Sequence, residues 1–267
     1  MYTQLPVWKE YIWWLKRAVA SPKLAGLLIS VIIPAFNEER LIGETLRQIR
    51  AALAAFHQRG WQTELIVCDN NSTDRTADLA RAAGATVVFE PVNQIARARN
   101  RGAETATGDW LLFIDADSRP SKELFAEVAD QIESGRCLAG GSTVRLEGHY
   151  PVANLVTTLW NWLSRTRRWM AGSFIFCEAD IFRKAGGFNN ELFVSEEIDL
   201  SKRLKPLARA VGKKIVILRR HPILTSARKL HLYTPREHVR FFLKVVLKPG
   251  RILRNRDACH QWYDGRR

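Results

Sequence analysis

Two aspartates, Asp115 and Asp117, stand two positions apart where the apolar run "WLLFI" ends, in the stretch "DWLLFIDADSRP". In an extended chain residues i and i+2 point the same way, so both carboxylates can face one divalent cation and leave positions for water and phosphate oxygens. The competing reading is turn chemistry, since Asp before Ser118 and Pro120 also serves turns and helix caps. A second acidic cluster lies in "FVSEEIDLSKRL" (193–204), where Ser195 reads as an amino-terminal cap and Glu196, Glu197 and Asp199 follow it. Acids there favour the helix dipole, and a carboxylate there can also accept the proton of an attacking hydroxyl. In "CDNNSTDRT" (68–76), Ser72 or Thr73 can cap a helix, which leaves Asp69 and Asn70 to hydrogen-bond a base edge. "PAFNEERLIGETL" (34–46) offers Asn37 as a cap with Glu38 and Glu39 in a first turn.

The elements that must position these groups alternate. Apolar runs at 27–34, 64–69, 85–90 and 109–117 are separated by helical patterns near 38–57, 74–83 and 94–105. Such an order predicts a mostly parallel sheet with helices on both faces. Ligands of open α/β sheets bind beyond the carboxyl ends of the strands, and the polar clusters "AFNEE", "DNNSTD" and "DAD" all follow strands. The amino-terminal half therefore reads as a nucleotide pocket. The second half is less regular, with strand and loop at 137–148, an amphipathic segment at 151–168, and a short strand and helix within 172–188.

The chain has 267 residues, 46% of them hydrophobic, enough to bury one sizeable core. With 41 Lys and Arg against 27 Asp and Glu the formal charge is +14, which admits polyanions, anionic membrane surfaces and phosphorylated substrates as partners. Cys68, Cys137, Cys177 and Cys259 form no C-x-x-C pair, which favours a reducing compartment. The longest apolar stretch is too short to span a bilayer and the amino terminus lacks a secretory pattern, so the expectation is a cytoplasmic protein, peripheral to a membrane if it meets one. The stretches 7–19 and 237–256 combine aromatic or aliphatic residues with Lys and Arg at helical spacing, as interfacial helices do, and "WNWLSRTRRW" (160–169) adds a third basic aromatic patch.

Taken together, "SVIIPAFNEE", "LIVCDNNSTDRT", "ARARNRGAETATGDWLLFIDAD" and "AGGFNNELFVSEEIDLSKRL" resemble, in order and spacing, the inverting nucleotide-sugar-dependent glycosyltransferases of family 2 with the GT-A fold. The resemblance covers about residues 28–228. It implies a Rossmann-like, mostly parallel sheet fused to an acceptor-binding half. The corresponding division is a Trp-rich leader over 1–27, a catalytic domain over 28–231 (nucleotide-sugar half 28–118, acceptor half 119–231), and a basic carboxyl-terminal segment over 232–267. The resemblance further implies that Ala35, Asn37, Glu38 and Asn70 hold the nucleoside and that Arg97 or Arg99 lies near the nucleotide pocket. It implies Mn or Mg on the diphosphate, held by Asp117 directly, with Asp115 nearer the ribose or reaching the metal through water. The family commonly has Glu-Asp where this chain has Glu196-Glu197. Glu197 aligns with the usual base but is one methylene longer, and Glu196 stays open as the alternative. His221 is a candidate to complete the metal shell, and Arg228 and Lys229 are candidates to face the diphosphate.

The partners implied are a nucleotide-diphosphate sugar, a sugar or lipid-linked acceptor and an anionic membrane surface. A nucleotidyltransferase acting on sugar phosphates would share the sheet and the metal, but "PAFNEER" lacks the Gly-rich basic phosphate loop such an enzyme needs. A nucleic-acid-binding protein fits the charge alone, because it shows no zinc pattern, helix-turn-helix or RNA-binding aromatic motif. No nucleic-acid partner is expected.

Overall fold

Strand β1 (Leu28–Ala35) sends Ile29, Val31, Ile33 and Ala35 into one apolar layer and Ile32 into another, the two-residue period of a strand covered on both sides. β4 (Trp110–Ile114) does the same, with Trp110, Leu112 and Ile114 opposite Leu111 and Phe113. The structure is a computed structural model and describes residues 26–228 and 252–263. Its sheet continues through β2 (Gln62–Asp69), β3 (Thr86–Phe89), β5 (Ser118–Arg119), β6 (Cys137–Leu146), β7 (Phe174–Glu178) and β8 (Lys214–Thr225). The order is β3-β2-β1-β4-β7-β6-β8-β5. β1 to β4 are parallel, β7 is antiparallel to both of its neighbours, β6 and β8 are parallel, and β5 is antiparallel to β8.

The chain moves outward from β1 to β3 and then returns to the other side of β1 as β4. A crevice opens at such a reversal, beyond the carboxyl ends of β1 and β4. On one face, α1 (Ile42–His57) packs with α4 (Lys122–Glu133), and the Phe56 ring stacks on Trp61 at 5.8 Å and on Phe125 at 5.1 Å. On the other lie α3 (Ile95–Thr105), α6 (Ala179–Lys184) and α7 (Glu196–Ala210), joined by the Phe113, Phe182 and Phe188 rings. A Cβ on Gly102 would lie 2.4 Å from Ile32 Cγ2, so α3 reaches β1 this closely only with glycine there. The short α2 (Thr76–Ala82) links β2 to β3, and α5 (Pro151–Arg167) lies along β6.

The parallel-dominant sheet with helices on both faces is as the sequence predicts, but some helix starts differ. α1 begins at Ile42, not near Glu38, because Asn37 is left-handed (φ 53°) and Glu38 and Glu39 form a turn. That turn is tied elsewhere: the Glu38 amide donates to Thr76 Oγ1 and the Glu39 amide to Asp74 Oδ2. The helix after β2 is capped by neither Ser72 nor Thr73; Asp74 Oδ1 accepts from the Thr76 amide instead. All four cysteines are free and buried. Among the described residues no helix is long and apolar enough to cross a membrane. The aromatic residues of 7–19 and 237–251, and Lys229, lie outside the described residues.

Candidate active site

β4 ends at Ile114, and the next residues turn instead of running on. The Ser118 amide donates to the Asp115 carbonyl at 3.0 Å, Thr45 Oγ1 to the Ala116 carbonyl at 2.7 Å, and the Ser226 amide to the Asp117 carbonyl at 3.1 Å. Strand parity therefore does not align the two carboxylates. The pinned turn brings both residues to one cleft with Pro34, Ala35, Phe36, Glu38, Asn70, Asn93 and Ile95.

A hard cation fits this pair. Among the described residues no group of three or more His, Cys, Asp or Glu side chains could enclose a metal. A tetrahedral zinc site is thus not built here, whereas Mg²⁺ or Mn²⁺ commonly takes one or two carboxylates and completes its shell with water and phosphate. His221 is not part of the pair. It sits within β8, with Nδ1 3.2 Å from Glu127 Oε1 of α4, four residues before the Thr225 that pairs with Ser118.

Behind the cleft lies a buried charge cluster. Arg99 of α3 is 1% exposed, and its Nη1 donates to Glu196 Oε1 while its Nη2 donates to Asp115 Oδ1 and the Gly172 carbonyl, both at 2.8 Å. A Cβ on Gly172 would come within 3.0 Å of that Nη2. The guanidinium also lies over the Phe188 ring at 5.2 Å. Burial alone would lower the Arg99 pKa, but the negative charges of Asp115, Glu196 and Glu197 outweigh it and hold the pKa above its ordinary value. One cation thus serves three acids, and it spans the turn that follows β4 and the first residues of α7. Arg97 pairs elsewhere, its Nε donating to Gln94 Oε1.

Glu197 bears the cost of that imbalance. Desolvation first, and then the charge of Glu196, raise its pKa to about 8. Glu196 is raised chiefly by burial, with Arg99 opposing the shift. Glu197 as a residue is half-buried, whereas Glu196 is 3% exposed. The fully buried acid is paired with Arg99. Ser195 stands at the cap position in a left-handed conformation (φ 70°) and gives no side-chain cap.

The remaining predicted residues divide. Asn70 lines the cleft, its Nδ2 donating to the Val92 carbonyl at 2.6 Å. Asn37 is a brace for the next loop, its Oδ1 accepting from the Thr73 amide at 2.8 Å, and it does not line the cleft. Arg228 Nη2 donates to both carboxylate oxygens of Glu38, at 2.8 and 2.9 Å. Sequence reasoning missed Tyr263, which lines the cleft, donates to the Phe193 carbonyl at 2.6 Å and stacks edge-on against the Phe193 ring. Its position far from every motif gave no signal beyond an aromatic in a basic tail.

Comparison with known proteins bears on this geometry. Residues 30–179 match the family model described as glycosyl transferase family 2. An uncharacterized glycosyltransferase of Mycobacterium tuberculosis (strain ATCC 25618 / H37Rv) is 34% identical over 146 residues, which is 54% of this chain and 62% of that relative's length. A dolichol-phosphate mannosyltransferase of Pyrococcus furiosus is 31% identical over 122 residues, 43% of this chain and 32% of its own. The crystal structure of glucosyl-3-phosphoglycerate synthase from Mycobacterium tuberculosis, in complex with Mn²⁺, uridine diphosphate and glucosyl-3-phosphoglycerate, superposes with a TM-score of 0.59 at 23% identity. It covers 92% of this chain and 84% of that one. At that identity the likeness is one of fold.

Proposed function

Because the chain belongs to glycosyl transferase family 2, we propose that it moves a sugar from a nucleotide-diphosphate donor to an acceptor hydroxyl with inversion at the anomeric carbon. The observation that carries this reading is the buried Glu196–Arg99–Asp115 chain, which ties the turn facing the cleft to the helix that carries Glu197. A reaction of this kind needs both ends fixed together, since the donor and the attacking oxygen must meet in line.

In this reading the nucleoside lies along Ala35 and Asn70, with Glu38 at its edge. Asp117, with Asp115 beside it, would hold Mn²⁺ or Mg²⁺. That ion, when bound, offsets the negative charge that grows on the leaving diphosphate. Arg228, paired with the cleft residue Glu38, would add a second positive group on the diphosphate. Glu197 takes the proton of the acceptor hydroxyl as its oxygen attacks, and it must be ionised to do so. A pKa of about 8 makes it a stronger base than an ordinary glutamate. Glu196 and Arg99 do not touch the reacting atoms; they hold the frame. The acceptor is a sugar or lipid-linked hydroxyl compound, and the four free thiols fit a cytoplasmic site of action.

The test is a panel of nucleotide-sugars with Mn²⁺ or Mg²⁺, read by nucleoside diphosphate release and by NMR of the anomeric proton of the product. Release should need the divalent ion and stop with chelator, and the product anomer should be opposite to the donor's. Retention of configuration, or full turnover in chelator, contradicts the proposal.

A further inference from the structure

Helix α5 is built inside out. Val152, Leu155, Val156, Leu159 and Trp162 recur at helical spacing and are 59–78% exposed. The same helix turns polar groups inward: the Asn161 amide brackets the backbone of Val144, accepting from its N–H at 2.9 Å and donating to its carbonyl at 2.8 Å, and the helix's one buried residue is Ser164. A soluble helix normally presents the opposite arrangement. Five contiguous large apolar side chains held in water mark a surface that something covers.

The charge beside the stripe selects what covers it. Trp162 also lines a shallow groove with Arg165, Arg168, Lys214 and Arg219, and no acid lines that groove. None of those four basic residues is ion-paired to a described residue. Just beyond, Lys202 and Lys205 lie over the Trp169 ring at 5.7 and 6.0 Å. A second copy of the chain would bring like charges together. So would the chain's own segments outside the described residues. In 1–25, Lys9, Lys16, Arg17 and Lys23 stand against Glu10, and in 229–251 six basic residues stand against Glu237. An anionic bilayer meets both demands, because it offers an apolar interior to the stripe and acidic headgroups to its basic border.

We infer that the exposed face of α5, with the Arg165/Arg168/Lys214/Arg219 groove beside it, docks the protein onto an anionic membrane surface. The inference does not depend on the sugar-transfer reading, since it concerns binding without donor or acceptor.

The experiment is co-sedimentation of the full chain with vesicles of phosphatidylcholine alone and of phosphatidylcholine with phosphatidylglycerol, at low and high salt. The parent should bind the anionic vesicles and release them with salt. Leu155→Ser with Leu159→Ser should weaken binding at least about tenfold through lost apolar burial. Arg165→Gln with Arg168→Gln should weaken it about 25-fold, roughly fivefold per basic residue, and flatten the salt dependence. Both variants should keep the parent's melting temperature, as these side chains are exposed and away from the cleft. No binding of the parent at low salt overturns the inference, as does full binding by the serine variant. If that variant instead lowers the oligomeric state in sedimentation velocity, a second copy covers the stripe. If it lowers the melting temperature by several degrees, the chain's own residues do. Either result also overturns the inference.

Discussion

Arg99→Met should destabilise the protein far more than loss of one side chain from a surface. The parent guanidinium, 1% exposed, neutralises Glu196 (3% exposed) and holds Asp115 and the Gly172 carbonyl. Methionine fills similar volume but leaves a buried carboxylate without a counter-charge. Breaking one side of such a pair costs about 3–5 kcal/mol, out of a total stability of roughly 5–15 kcal/mol. For a chain of this size each kcal/mol moves the melting temperature by about 2–4 °C, so the expected fall is about 6–20 °C. Replacing the acid as well, in Arg99→Met with Glu196→Met, removes the stranded charge and should recover a large part of that loss. The assay is thermal unfolding of the parent, both single variants and the double variant at one pH and salt concentration. An Arg99→Met protein that melts with the parent, or a double variant that melts at the sum of the two single losses, would refute the claim that Arg99 and Glu196 act as one buried unit.

Asp117→Asn should retain the fold while abolishing most of the metal-stimulated binding of a nucleoside diphosphate, measured by titration calorimetry with and without Mn²⁺; unchanged stimulation would remove Asp117 from the metal. Transfer should rise with pH as Glu197 ionises, and Glu196→Gln should move that midpoint to lower pH. The sign follows from Glu197's raised pKa, which owes its second largest part to the negative charge of Glu196. A midpoint displaced upward would contradict this. The same raised pKa means that folding favours protonated Glu197, so its contribution to stability is present at low pH and lost as pH rises through about 8. Glu197→Gln should therefore melt above the parent at pH 9 and converge with it at low pH.

The strands were legible because their residues are apolar on both faces, as in "SVII" and "WLLFI", and Glu38, Asn70, Asp115 and Asp117 from the polar clusters that follow them line the crevice. What the sequence hid were partnerships between distant positions. Asn37 looks like a cap, yet its side chain serves Thr73, 36 positions on, so the helix starts one turn later. Arg97 and Arg99 were indistinguishable by type. The signal that separates them was present: Ala96 and Ala103 stand three before and four after Arg99, and all three are buried on one stripe of α3. Asp115 and Asp117 both line the cleft, but from a turn pinned by Thr45 and Ser226 and not from the extended chain that the spacing suggests. His221 has no local feature that would have assigned it to Glu127. Tyr263 is held at the cleft by partners such as Phe193, seventy positions earlier.

In the proposed mechanism Glu197 is the base and Arg99 holds Glu196 in place. That assignment is tested most directly by single-turnover sugar transfer with Glu197→Gln, alongside calorimetric binding of the donor's nucleoside diphosphate with Mn²⁺. Glutamine keeps the shape and removes the proton-accepting carboxylate, so binding should match the parent while transfer falls by about a hundredfold or more. Transfer at the parent rate by Glu197→Gln, or a comparable loss in Glu196→Gln alone, would contradict the assignment.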